Sequence, residues 1–155
     1  MDPNDPGYKF LTFDKKAYLK NAGAFDTKKN FWAPDEKEGF IRVTIESENG
    51  DKVTVMTEKS ENKDFKRDDL QQMNPPKFDM IEDMADLTFL NDASVMGNLK
   101  MRYVHQMIYT YSGLFCIAVN PYKRFPIYTP SVVMSYKGKK RTEMPPHIFS
   151  ISDNA

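Results

Sequence analysis

Two runs, Phe40-Ile-Arg-Val-Thr-Ile-Glu46 and Lys52-Val-Thr-Val-Met-Thr57, alternate apolar and polar residues with a period of two, and a short stretch containing Asn49-Gly50 separates them. Successive side chains of a strand point to opposite faces, so each run has one apolar face, and so short a link permits only antiparallel pairing. A strict two-residue turn at Asn49-Gly50 would set Ile45 opposite Thr54. A three-residue loop, Glu48-Asn49-Gly50, sets Ile45 opposite Val53 and Val43 opposite Val55. The second register keeps one face apolar and puts Gly50 where a bulged hairpin needs a left-handed residue, so it is the expected one. Lys29-Asn-Phe-Trp-Ala33 before this pair, and Asp64-Phe-Lys66 after a turn around Lys59 to Lys63, extend it to a small barrel of about five strands.

Asn74-Pro75-Pro76 interrupts regular structure, because neither proline can donate to a ladder and each restricts the residue before it. This is the expected boundary of the barrel. Upstream, Phe10, Leu11, Phe13, Tyr18 and Leu19 fit a short helix within Tyr8 to Ala24 that ends near Gly23. Downstream, Asn91 or Asp92 can cap a helix whose apolar stripe is Val95, Leu99 and Tyr103, widened by Met96 and Val104. Thr129-Pro130 supplies a hydroxyl cap and a proline at the first helical position, with Val132, Val133 and Tyr136 inside the helix and Gly138 as its stop. After Pro145-Pro146 another amphipathic pattern begins at His147 and runs to Ala155 without the glycine or basic turn that finishes a helix, so a cut is expected there.

Charge and composition narrow the function classes. Lys plus Arg and Asp plus Glu both total 22 in 155 residues, which leaves no global field to attract nucleic acid or an anionic membrane. Hydrophobic residues at 40% with 13% aromatics can supply a core, and 28% charged residues fit a soluble globular chain. The N-terminal Met1-Asp-Pro-Asn-Asp-Pro-Gly7 lacks the basic and apolar regions of a secretory signal, and no apolar run is long enough to span a bilayer. The single cysteine, Cys116, lies within Leu114-Phe-Cys-Ile-Ala-Val119, where burial in a strand is the expectation. A cytoplasmic, reducing location follows from these features.

From Met107 to Tyr128 an apolar run, expected as an internal strand covered on both faces, leads directly into Asn120-Pro-Tyr-Lys-Arg-Phe-Pro-Ile-Tyr128. Loops at such strand ends commonly line ligand crevices. A purine needs flat apolar contacts on its faces and a hydrogen bond or two at its edge, and this loop offers two prolines, two tyrosines, an arginine plane and an amide. Chemistry alone favours a proline-rich surface turn instead.

The segment Met107 to Tyr128 resembles the adenine-side loop of the myosin motor head. So do Asn74-Pro-Pro-Lys-Phe-Asp79 with Asp83-Met-Ala-Asp-Leu-Thr-Phe-Leu-Asn-Asp-Ala-Ser-Val95, and Tyr136-Lys-Gly-Lys-Lys-Arg141 through Glu143-Met-Pro-Pro-His-Ile-Phe-Ser-Ile-Ser-Asp153. In this order and spacing the chain is identified as a member of the muscle-type (class II) myosin heavy chains, at their N-terminal part. The resemblance implies an α+β chain with an N-terminal extension over residues 1–29, an SH3-like β-barrel over 30–76, and the first helices and strand of the α/β motor head over 77–155, truncated before the phosphate loop.

Carried over by position, the resemblance has Asn120 and Pro121 touch the nucleoside, Arg124 cover it, and the Tyr128 hydroxyl bond the exocyclic amine. Lys123 matches a lysine near the pocket that can be methylated. For the whole protein the resemblance implies actin-activated hydrolysis of ATP to ADP with Mg²⁺. Its implied partners are the rest of the heavy chain, the actin filament, light chains, and a heavy-chain dimer assembled by a coiled coil into the thick filament of the myofibril. No Gly-Lys-Ser or Gly-Lys-Thr phosphate loop occurs in this sequence, so the chain by itself is expected to be inactive, with no catalytic residue.

Rival readings rest on other residues. A stand-alone SH3-like interaction module would need an aromatic groove for polyproline, for which Phe31 and Trp32 are candidates, although both are expected in the core. A small nucleotide-binding regulator would need a phosphate site of its own. The basic run Lys137-Gly-Lys-Lys-Arg141 is expected as a solvated helix C-terminus, and Asp79, Glu82, Asp83, Asp86 and Asp92 as an exposed face and helix starts without metal-loop spacing. His105 and His147 are expected to be structural, and the ten methionines to be ordinary core filler, with some exposed where the rest of a domain is missing.

Overall fold

The computed structural model describes residues 1–153, and the chain divides into two compact units. One contains residues 19–79 and 87–97; the other contains residues 1–18, 80–86 and the chain from 98 onward.

The first unit is built on a five-stranded antiparallel sheet in the order β4-β3-β2-β1-β5, with β1 at Asn30–Asp35, β2 at Gly39–Asn49, β3 at Lys52–Thr57, β4 at Asn62–Lys66 and β5 at Gln71–Gln72. Its turns follow from local chemistry. The Asp35 carboxylate accepts from the amides of Lys37 and Glu38 at 3.0 and 2.9 Å and folds the first link, which Gly39 finishes at φ 77°. Phe31, Ala33, Val43, Ile45, Val53, Val55 and Leu70 form the core on one face. Trp32, displaced by one residue, points to the other face and packs with Met73 and Ala93. Burial of Phe31 and Trp32 removes the aromatic groove that a polyproline-binding module would need.

The β2–β3 register differs from expectation. Ile45 faces Val55 and Val43 faces Thr57, while Asn49 pairs with Lys52 around a two-residue loop, Gly50-Asp51. Gly50 is left-handed at φ 62°, as expected, but it is the first residue of this tighter turn. The extra residue is Glu46: the register shifts between Ile45 and Ser47, and this bulge keeps Ile45 on the core face.

Asn74 ties down the end of the unit. Its amide donates to the Phe89 carbonyl at 2.8 Å and to Ser94 Oγ at 3.1 Å, and its carbonyl accepts from Phe89 N–H at 2.8 Å. Asn91 caps the helix α3, Asp92–Val104, by accepting from the amide of Ser94 at 2.9 Å. The expected apolar stripe is not the buried face of α3. Ala93, Ser94, Asn98 and Arg102 are buried, whereas Met96, Tyr103 and Val104 are exposed. The inversion is tolerated because buried donors find acceptors: Arg102 is bonded through all three of its nitrogens and Asn98 Nδ2 donates to the Ile81 carbonyl at 3.1 Å, although Asn98 Oδ1 is buried without a partner among the described residues.

The expected N-terminal helix is two shorter ones, α1 at Tyr8–Leu11 in the second unit and α2 at Lys15–Lys20, which spans the division after Tyr18. The Thr12 hydroxyl and amide both donate to the Tyr8 carbonyl and close the first, and Asp14 recaps the second by accepting from Ala17 N–H at 2.9 Å. The helix stops at Lys20, short of Gly23.

The apolar run after Met107 is a hairpin, not a single internal strand. Strands β6, Tyr109–Ser112, and β7, Phe115–Ala118, are joined at Gly113, which is left-handed at φ 57°. Leu114 and Phe115 at the tip are 90% and 75% exposed, and Cys116 is half-buried. Ser112-Gly113 forces the reversal, so only β6 pairs with β7 among the described residues.

Helix α4, Pro130–Tyr136, starts as expected, with Thr129 Oγ1 accepting from Val132 N–H; Val133, however, faces solvent. Helix α5 covers Ile148–Asp153, and its expected continuation to Asn154 and Ala155 lies outside the described residues. Leu11, Ile108, Tyr109, Ile127, Val132, Tyr136 and Met144 form this unit's core. Arg141 leaves the solvated basic run: it lies 3.7 Å over the Tyr111 ring and pairs with Asp83. Asp83 is therefore a buttress, accepting also from the amides of Ala85 and Gly113. Asp79, expected on an exposed face, pairs with Arg42 at 3.2 Å. Among the described residues no helix is long and apolar enough to cross a membrane.

Candidate functional site

The loop between β7 and α4 is shaped first by Asn120. Its side-chain oxygen accepts from Tyr122 N–H at 2.8 Å, which turns the chain through Tyr122 at φ 53°, and its backbone carbonyl accepts from the Tyr103 hydroxyl. Phe125 then anchors the loop by stacking on Phe10 with ring centroids 4.6 Å apart. Ile127 is wholly buried.

These anchors leave a cavity of about 360 Å³ lined by Ile108, Pro121, Lys123, Arg124, Phe125, Ile127 and Tyr128. That volume suits a small organic ligand. Its walls are mostly apolar, and Lys123 and Arg124 stand exposed at its edge with no ion-pair partner among the described residues. Tyr128 is 52% exposed, and its hydroxyl lies 2.7 Å from that of the buried Tyr109. Burial first, and the bond to Tyr128 second, push the Tyr109 phenol well above its ordinary range.

Four of the five residues singled out from sequence, Pro121, Lys123, Arg124 and Tyr128, line this one cavity. Asn120 does not line it; its side-chain oxygen is engaged in the loop's own turn. Ile108 and Ile127 escape sequence reasoning because an isolated isoleucine carries no signal of what it faces. His147 is structural, as expected, although its partners were not foreseen. It is fully buried and bonded through Nε2 to the Ile127 carbonyl at 2.9 Å and through Nδ1 to the Phe149 amide at 3.0 Å. Burial pushes its pKa down to about 4, against the opposing pull of the Ile127 carbonyl, so the ring is neutral near pH 7.

A five-stranded SH3-like sheet followed by this helix, hairpin and loop defines the opening of a motor head. Residues 20–74 match the myosin N-terminal SH3-like domain and residues 81–155 match the myosin head (motor domain), so the chain belongs to the myosin family. Myosin-3 of Caenorhabditis briggsae is 57% identical over 153 residues, and Myosin-3 of Caenorhabditis elegans 56% over 153, each alignment covering 98% of this chain. Myosin-1 of Caenorhabditis elegans is 50% identical over 154 residues, 97% of this chain. The chain spans 8% of the length of each of these relatives.

Proposed function

We propose that this chain is the N-terminal segment of a muscle-type, actin-based, ATP-driven motor, in which it supplies scaffold and the nucleoside side of the ATP site. The carrying observation is the cavity at Pro121, Lys123, Arg124 and Tyr128. Its apolar walls suit the faces of a purine, the unpaired Arg124 guanidinium can lie over the base, and the Tyr128 hydroxyl can accept from an exocyclic amine. Asn120 supports the pocket through the turn it holds. Lys123 borders it, where a positive charge favours a nucleotide.

The residues present fit a nucleoside and do not extend to the phosphates. No Gly-Lys-Ser or Gly-Lys-Thr loop, the pattern that would hold phosphates and Mg²⁺, occurs in the sequence. Recognition of the base therefore belongs to this chain, and ATP hydrolysis belongs to the complete motor. In this reading an SH3-like barrel over residues 30–76 precedes the head from residue 77. The complete protein is a cytoplasmic muscle heavy chain that works on actin, with light chains and thick-filament assembly contributed elsewhere.

The test compares ADP with pyrophosphate, which lacks the nucleoside, in the full-length protein. Arg124→Ala and Tyr128→Phe should each weaken ADP binding about three- to tenfold, the worth of one modest contact, and leave pyrophosphate binding unchanged. Unchanged ADP affinity in both variants would overturn the reading.

A further inference from the structure

We infer that His147 is a positioning residue for the nucleoside-facing loop, holding its wall in place from the far side of the cavity; this rests on the nucleoside reading of that loop. Two bonds fix the ring's tautomer. Phe149 N–H donates to Nδ1, so Nδ1 carries the lone pair and Nε2 carries the proton donated to the Ile127 carbonyl. The ring thus joins the start of α5 to the peptide that leads into Tyr128.

Packing makes this join directional. The imidazole centroid lies 4.9 Å from that of Tyr109, 5.5 Å from Tyr128, 5.0 Å from Tyr136 and 4.4 Å from Phe149. Two of those rings, Tyr109 and Tyr128, are the partners of the hydroxyl pair at the cavity edge. His147 itself does not line the cavity, so it can act on a ligand only through Ile127 and Tyr128. Loss of the Nε2 bond strands a buried carbonyl and frees the Ile127–Tyr128 peptide to rotate, which moves a wall and the polar edge together.

Amide side chains separate the two bonds. Glutamine places its amide nitrogen near the position of Nε2 and can still reach the Ile127 carbonyl; asparagine reaches only the position of Nδ1. In the full-length protein His147→Asn should weaken ADP binding about five- to tenfold, the loss of one buried hydrogen bond, and leave pyrophosphate binding unchanged. His147→Gln should keep ADP affinity within about twofold of the parent, for the same reason. Equal ADP loss in both variants, or parallel loss of ADP and pyrophosphate in His147→Asn, would overturn the inference. Should the asparagine variant not fold, His147→Gln decides alone, with retained ADP affinity supporting the role and loss as large as that expected for asparagine refuting it. Failure of the nucleoside reading itself would look different, because Arg124→Ala and Tyr128→Phe would then bind ADP as the parent does.

Discussion

The hydroxyls of Tyr109 and Tyr128 share one hydrogen bond of 2.7 Å, with Tyr109 buried and Tyr128 half open to solvent. Either single phenylalanine substitution removes this bond. Tyr109→Phe and Tyr128→Phe should each cost about 0.5–1.5 kcal/mol, and the double variant should cost less than the sum by a similar amount. Denaturant unfolding of the four proteins measures the coupling, and strict additivity would show that the pair contributes nothing.

Arg102 is 2% exposed and donates from Nη2 to the Tyr109 carbonyl, from Nη1 to the Met80 carbonyl and from Nε to Thr110 Oγ1, at 2.8, 3.0 and 2.9 Å. A lysine cannot reproduce this three-way fork. Arg102→Ala strands two buried carbonyls and a hydroxyl, so a loss of roughly 3–5 kcal/mol is expected, with Arg102→Lys recovering only part of it. Urea midpoints of the two variants would check the order.

Gly97 lies in the interior of α3, where alanine normally gains about 1 kcal/mol of helix propensity. Here a Cβ would sit 2.8 Å from Cη2 and 2.9 Å from Cζ2 of Trp32. Overpacking of about 1–3 kcal/mol outweighs the propensity gain, so Gly97→Ala should destabilise. Thermal unfolding decides it, with Gly23→Ala as a control, because nothing lies within 4 Å of a Cβ there.

His147 makes stability depend on pH in a defined direction. Its folded pKa of about 4 lies below the ordinary 6.5, so between these values the unfolded chain binds more protons than the folded one. Stability contributed by the neutral ring is complete above pH 6.5 and is lost as pH falls toward 4, by about 3 kcal/mol in total. The difference in unfolding free energy between the parent and His147→Gln should be flat above pH 7 and shrink below 6. A difference independent of pH would show that the imidazole titrates normally.

What could be read from sequence was whatever local chemistry decides. The alternation of Lys52–Thr57 appears as β3 without change, and Thr129-Pro130 starts α4 as expected. The register of β2 was not legible, since the bulge at Glu46 trades with the turn length to reach the same apolar alignment. Nor was the face of α3, because Asn98 and Arg102 are buried by carbonyl partners that are distant in sequence or set by the fold. The loop residues Pro121, Lys123, Arg124 and Tyr128 entered through family resemblance, and loop chemistry alone would have left them a surface turn. The hold of His147 on Ile127 depends on a contact 20 residues away, which no local pattern encodes.

The first residues of the chain pack against a segment more than a hundred positions later. Asp5 accepts from the Ser131 hydroxyl, and Leu11 sits in one core with Ile127, Val132 and Tyr136. In a polypeptide emerging N-terminus first, the sheet of residues 30–72 has every strand it needs long before residue 127 is made. The first helix must wait through all of that interval. An apolar Leu11 therefore stays open to chaperones, and to wrong partners, until the stretch from Ile127 to Tyr136 has been made.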